Sequence, residues 1–322
     1  MTRKERIETA LRFEEPDRPP HFEQLFELTQ EAFNNQVPGN EDFDTVACGN
    51  KSDKEKLFAD AALVYAKIVE EFDWDAILVY PPAVPAPYKD PNHIGYEFIG
   101  YLKKYLNDYF NEDIPLGAFI WGSLICIDTI TDYVEFSINL YENRQKLHDW
   151  AERICEEGLK HAAQLIDAGV DFITISSDHA FNKGTFLSPE DFAQLVTPYM
   201  KRLTSYIQSR GKWVIVHTDG AIMKIMDQIL EVKPEVLHSI DPMAGMDIKE
   251  VKRITYGKMA LMGNVQCNYI QEGPPDKIIQ SSEYCLEHGA PGGGYIFSSS
   301  NTIFKGVPLE NYKLMLECLK KI

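Results

Sequence analysis

The run Trp213-Val214-Ile215-Val216-His217-Thr218-Asp219-Gly220 decides how the rest of the chain is read. Its four leading residues are apolar, mostly β-branched or aromatic, and predict a strand buried on both faces. The chain then presents an imidazole and a carboxylate, and Gly220 lets it turn at once. Active sites of α/β proteins gather at the carboxyl ends of parallel strands, which makes His217 and Asp219 candidate site residues. The competing reading is a turn in which Asp219 caps the next helix and His217 only hydrogen-bonds.

Similar apolar segments recur on both sides, at residues 21–23, 76–80, 116–121, 172–175, 213–216, 236–240, 259–262 and 295–297. Helical patterns separate them. Eight strands alternating with helices predict an α/β fold, a single (β/α)8 TIM barrel over residues 1–322, with a doubly wound open sheet as the alternative. No dinucleotide fingerprint supports that alternative, because Gly292-Gly293-Gly294 precedes its strand. Thr2 and Glu5 predict a capping box on an N-terminal helical extension carrying Ile7, Ala10 and Leu11. Ser188-Pro189-Glu190-Asp191 starts another helix, which Pro198 should kink or split. Asp247 should cap a further one. Prolines 81, 82, 85, 87 and 91 predict a long lid loop over the barrel mouth within residues 81–115.

Composition narrows the partners. A formal net charge of −17 argues against nucleic acid and against an anionic membrane surface. No apolar stretch approaches the roughly 18 residues needed to span a bilayer, and the amino terminus reads as an amphipathic helix rather than a signal segment. Six widely spaced cysteines without a CxxC pair read as reduced thiols, so a cytoplasmic location is expected.

In a barrel, the residues just past each strand share one mouth. They are Glu23, Tyr80, Trp121, Asp178 with His179, His217 with Asp219, Asp241, Gln266 with Cys267, and Ser299 with Asn301. Imidazole, thiol and carboxylate groups converging there would suit Zn²⁺. Phe22, Tyr80, Trp121 and Tyr295 would make a wide apolar pocket. Glu23 ends a buried strand and needs a partner. Cys267 reads either as a ligand or as a small buried hydrophobe, and His179 as a substrate contact or part of a solvated loop. His238, within a strand, reads as a core imidazole; His93, His148, His161 and His288 read as bystanders.

These fragments, in this order, resemble the uroporphyrinogen decarboxylase superfamily over essentially the whole chain. The resemblance is carried by Arg3-Lys4-Glu5-Arg6, Pro16-Asp17-Arg18-Pro19, Gly169-Val170-Asp171, Leu187-Ser188-Pro189-Glu190, His217-Thr218-Asp219-Gly220, Gly263-Asn264-Val265, Gly292-Gly293-Gly294-Tyr295-Ile296 and Val307-Pro308-Leu309-Glu310-Asn311-Tyr312. It implies a (β/α)8 barrel and one of two chemistries. True uroporphyrinogen decarboxylases bind a polycarboxylate tetrapyrrole through an arginine-containing motif after the first strand. Here that place reads His21-Phe22-Glu23-Gln24-Leu25-Phe26-Glu27, which is acidic. The other branch, the cobamide-dependent methyltransferases, uses zinc held by a His-x-Cys pair and a later cysteine. His217 matches that histidine, whereas Asp219 and Ser299 stand at the two cysteine positions.

The resemblance therefore implies a methyltransferase of an anaerobic, corrinoid-dependent demethylation system. It would move a methyl group between a small methylated compound, expected to be O-methyl, and the cobamide of a partner corrinoid protein. A rearranged zinc site is expected from His217, Cys267 and Glu23, with Asp219 or Asp241 as alternative third ligands. Glu23, Asp178, Asp219 and Asp241 are the expected catalytic groups; Tyr80, Trp121, His179, Ser299 and Asn301 are expected to contact substrate. The alternatives are a decarboxylase, for which Arg18 and Lys183 are the nearby cations, and a non-catalytic tetrapyrrole- or partner-binding barrel.

Overall fold

The structure, a computed structural model, describes residues 1–80 and 92–321. Its strands are β1 (Ile77–Val79), β2 (Leu116–Trp121), β3 (Phe172–Ser176), β4 (Ala180–Phe181), β5 (Gly184–Thr185), β6 (Trp213–Thr218), β7 (Val236–Ser239), β8 (Ala260–Val265) and β9 (Tyr295–Ser299). Seven of them pair in parallel in the order β1-β2-β3-β6-β7-β8-β9, and β4 and β5 make a short antiparallel hairpin. Helices connect the successive sheet strands, as right-handed parallel crossovers require. The arrangement is an α/β, barrel-like fold.

The first expected strand differs from the sequence reading. Residues 21–23 form no ladder; His21 makes an isolated parallel bridge with Phe297. The Phe297 amide donates to the Pro20 carbonyl and the Asp75 amide to the His21 carbonyl, both at 2.8 Å. This segment thus lies between the two edge strands, β9 and β1. Pro19 and Pro20 lack the N–H groups that a longer ladder would need.

Helix Arg3–Leu11 forms with the expected Thr2–Glu5 capping box. Its Ile7 and Leu11 meet Phe22, Phe172, Trp213 and Ile215 around a small apolar cavity at the amino ends of the strands. Phe172 fits there because residue 117 is glycine, where a Cβ would lie 2.2 Å from the ring. Pro198 splits its helix as expected, into Pro189–Leu195 and Thr197–Ser209. Asp247 caps Ile248–Thr255 through the Lys249 amide.

Within the long loop expected over residues 81–115, Ile94–Phe110 is a helix. Ile94, Phe98, Ile99, Leu102 and Leu106 recur at helical spacing and are buried, and that periodicity overrides the proline signal. The five prolines themselves lie outside the described residues. No helix among the described residues is long and apolar enough to cross a membrane.

Candidate active site

One rung of side chains sets the floor of the site. Trp121, Ser176, His217 and His238 lie side by side across β2, β3, β6 and β7. They share the alternation that turns Phe172 and Ile215 inward lower down. Trp121, Ser176 and His217 are half-buried although their strands are central, so solvent reaches this end of the sheet.

The loops just beyond the rung are tied together by backbone. The Ser177 amide donates to the His217 carbonyl at 3.1 Å and the His179 amide to Thr218 Oγ1 at 3.0 Å. The Asp219 amide donates to Asp178 Oδ1 at 3.0 Å. Gly220 allows the turn: its φ is +88°, and a Cβ there would come within 2.5 Å of the Ala180 carbonyl oxygen. These ties bring Asp178, His217 and Asp219 together, with ligating atoms all within 4.8 Å of one another. His217 Nε2 lies 3.9 Å from Asp178 Oδ1 and 4.0 Å from Asp219 Oδ1.

Each member is further fixed. Asp219 accepts from Ser239 Oγ at 2.7 Å through Oδ1 and from Asn301 Nδ2 through Oδ2. Burial pushes the Asp219 carboxyl up, the His217 imidazole opposes this, and the charges of Asp178 and Asp241 add to the rise. His217 Nδ1 is 2.7 Å from His238 Nδ1, with the rings stacked at 4.9 Å. Asp128, on the turn Ile127–Thr129, is a fourth carboxylate; its pKa is raised by partial desolvation and then by Asp178. No lysine or arginine among the described residues pairs with Asp128, Asp178, Asp219 or Asp241. Two carboxylate charges within 4.8 Å of each other repel by at least about 3.5 kcal/mol at an effective dielectric of about 20. A cation held between them reverses that sign.

Two of the expected zinc ligands, Glu23 and Cys267, lie outside this cluster. Glu23 is fully buried and accepts from the Ser299 amide at 3.1 Å and Ser299 Oγ at 2.7 Å. Burial drives its carboxyl up to about 8, so it is neutral at pH 7. Cys267 starts the helix Cys267–Glu272 and accepts from Ser300 Oγ at 3.3 Å. Burial pushes its thiol up to about 11. Zinc is held by deprotonated sulfur or oxygen and by neutral imidazole, so an ion at Glu23 and Cys267 would first have to displace both protons. Among the described residues, the set of three that comes together is Asp178, His217 and Asp219, in place of His217, Cys267 and Glu23.

Other expected residues also fall elsewhere. His179 is buried against Phe192, ring centroids 5.0 Å apart. Ser299 is committed to Glu23, and Asn301 to Asp219. Asp241 caps the turn Pro242–Ala244 through the Met243 amide and touches the site only by its charge. Phe22 belongs to the amino-end core, and Tyr295 packs toward Gly289 of a helix, with its hydroxyl donating to the Gly263 carbonyl. Tyr80 and Trp121 do come together at 5.5 Å, and Phe119 stacks on Trp121 at 4.6 Å, forming one aromatic wall.

The sequence reading missed Asp128, Phe119, Ser239 and the part played by His238. His238 had a signal: it sits one residue before the end of β7, in register with His217. Asp128 had none, since it lies well beyond the end of its strand.

Residues 82–322 match the family described as Uroporphyrinogen decarboxylase (URO-D), and the chain belongs to that family. Among curated proteins it is 27% identical over 174 residues to uroporphyrinogen decarboxylase of Geotalea uraniireducens, covering 53% of this chain and 48% of that one. It is also 27% identical over 143 residues to uroporphyrinogen decarboxylase of Syntrophotalea carbinolica, covering 43% and 39%. The matched stretch thus spans about half or less of these curated relatives. Among solved structures, a methyltransferase from Methanosarcina mazei superimposes with a TM-score of 0.71 at 19% identity, covering 100% of this chain and 99% of that one. At that identity the likeness is one of fold.

Proposed function

We propose that this protein is the methyltransferase component of a corrinoid-dependent demethylation system. It takes a methyl group from a small O-methyl compound and passes it to the cobamide of a partner corrinoid protein. Its family membership, and a fold shared end to end with a methyltransferase, support the class. The observation that carries the chemistry is the Asp178–His217–Asp219 cluster at an open strand end, with no lysine or arginine among the described residues paired to it. That cluster would repel the carboxylates of a porphyrinogen, which weighs against decarboxylation. The six unpaired cysteines suit a cytoplasmic protein.

The thiol-rich zinc centre of related methyltransferases does not fit this chain, because Asp219 and Ser299 stand at its two cysteine positions. One nitrogen and two carboxylate oxygens do fit a divalent ion such as zinc, manganese or cobalt. Asp178, His217 and Asp219 would hold it. Such an ion would supply Lewis acidity to the ether oxygen, and the partner's cobamide the nucleophile. Ser239 and Asn301 keep Asp219 aimed at the centre. Tyr80, Phe119 and Trp121 shield one side of the substrate from water. As the C–O bond breaks, the leaving oxygen needs a proton, which in this reading Asp128, on the turn beside Asp178, would give.

The test is to incubate the metal-loaded protein with cob(I)alamin and a panel of methyl ethers. Consumption of the cob(I)alamin absorbance, lost in Asp219→Asn, is expected. Carbon dioxide release from uroporphyrinogen, without methyl transfer from any ether, would overturn the reading.

A further inference from the structure

The helix Tyr133–Glu142 lies in the connection that leaves the carboxyl end of β2, and it is lightly anchored. Of its ten residues, only Phe136 and Asn139 are buried. Val134, Ile138 and Tyr141 recur at helical spacing on the opposite face, with Val134 71% and Tyr141 86% exposed. Tyr133 ties this helix to the site. Its hydroxyl donates to the Ile127 carbonyl at 2.9 Å, and the Ile127 amide donates to the Asp178 carbonyl at 3.0 Å. Its ring meets Phe186 at 6.0 Å, and Phe186 meets the exposed Phe181 of the hairpin after β3 at 6.3 Å. Of the eleven large apolar side chains exposed among the described residues, seven stand on the connections leaving β2, β3, β6 and β7: these five, Met223 and Met243. The same four strands carry the rung of Trp121, Ser176, His217 and His238. Apolar surface gathered around a site in this way marks contact with another molecule.

Charge narrows what that molecule is. Residues 116–143 hold Asp128, Asp132, Glu135 and Glu142 and no lysine or arginine. Lys146 of the next helix pairs with Glu135. Asp178, Asp219 and Asp241 follow on the neighbouring connections, against Lys183 and Lys224. The surface thus has an apolar middle and an acidic surround. A second copy of this chain, meeting it across a two-fold axis, would set acid against acid. An anionic membrane is repelled likewise. The surface fits a protein whose contact face is apolar at its centre and basic at its edge. We infer that the face carrying Val134, Ile138 and Tyr141, with Phe181 beside it, is the docking surface of the corrinoid protein. The inference rests on the proposed methyl transfer, which needs a protein-bound cobamide brought up to the Asp178–His217–Asp219 cluster. The Tyr133–Ile127–Asp178 contacts place a partner seated on this helix beside that cluster.

The test compares two methyl acceptors, free cob(I)alamin and a cobamide-bearing protein isolated by its own absorbance from the cells that make this chain. The double variant Val134→Glu, Ile138→Glu changes only exposed side chains, and an unchanged thermal melt checks its fold. Transfer to free cob(I)alamin should match the wild type. The KM for the protein-bound cobamide, and its Kd by titration calorimetry, should rise at least about 30-fold, the cost of losing an interface hot spot. Wild-type binding should also weaken as salt is raised. An unchanged KM and Kd in the variant, or an equal loss with both acceptors, would overturn the inference. So would a wild-type dimer in analytical ultracentrifugation that the variant dissociates, because the surface would then belong to a second copy. Wild-type protein that methylates neither acceptor would remove the proposed reaction instead, and the calorimetry would still decide the surface: binding lost in the variant upholds it, and binding absent or equal in both proteins overturns it.

Discussion

Replacing Glu23 with glutamine should make the protein more stable at neutral pH and should erase one specific pH dependence. The carboxyl is fully buried and carries its proton up to about pH 8, against 4.5 when exposed. Between those values the unfolded chain has released the proton and the folded chain still binds it. Stability therefore falls as pH rises through this window, by about 1.4 kcal/mol per pH unit, and flattens above pH 8. Over the whole interval the effect amounts to about 5 kcal/mol, an upper figure because burial relaxes on ionisation. Glutamine keeps an acceptor for the Ser299 amide and hydroxyl and replaces the O–H by N–H. Urea unfolding of both proteins at pH 5, 6, 7 and 8 gives the answer as a difference curve. The advantage of Glu23→Gln should grow by about 4 kcal/mol from pH 5 to pH 8. Parallel curves would refute the reasoning, since they would mean that Glu23 is ionised inside the fold and free to bind a metal.

Asp178→Asn should weaken Co(II) binding at least about 100-fold, because a carboxylate at this range is worth several kcal/mol to a cation. The same variant, freed of like-charge repulsion, should be more stable than wild type when both are metal-free, as thermal melts would show. Cys267→Ser should leave Co(II) affinity unchanged, since Sγ sits with Ser300 outside the cluster. At the opposite end of the strands, Asp75 is buried between Arg6 and Arg18. Asp75→Asn should cost about 3–5 kcal/mol in urea unfolding, with no change in Co(II) affinity.

Much of the fold was legible because the apolar runs are long relative to the chemistry between them. Residues 213–216 and 116–121 read as strands, and the structure pairs both in the sheet. Residues 21–23 read as a strand of equal standing but make only a bridge, since two preceding prolines remove ladder donors. The helix at Ile94–Phe110 was hidden by the prolines upstream of it.

The site was legible only in part, for a different reason. Strand ends can be found from sequence, but side-chain direction and protonation depend on neighbours that the chain brings from afar. His217, Asp219 and Asp178 were all named as mouth residues, and their side chains converge. Cys267 and Glu23 were named by the same rule, yet burial leaves both protonated and paired with serines. His238 was read as core because it lies inside a strand, and only register with β6 reveals its contact with His217.

The central claim is that Asp178, His217 and Asp219 hold a divalent cation at this strand end. Anomalous scattering from crystals grown with zinc or cobalt tests it most directly. The account predicts one strong peak about 2 Å from His217 Nε2 and from an oxygen of each aspartate. A peak bound to Cys267 and Glu23, or a clear map of this mouth with no peak at all, would contradict it.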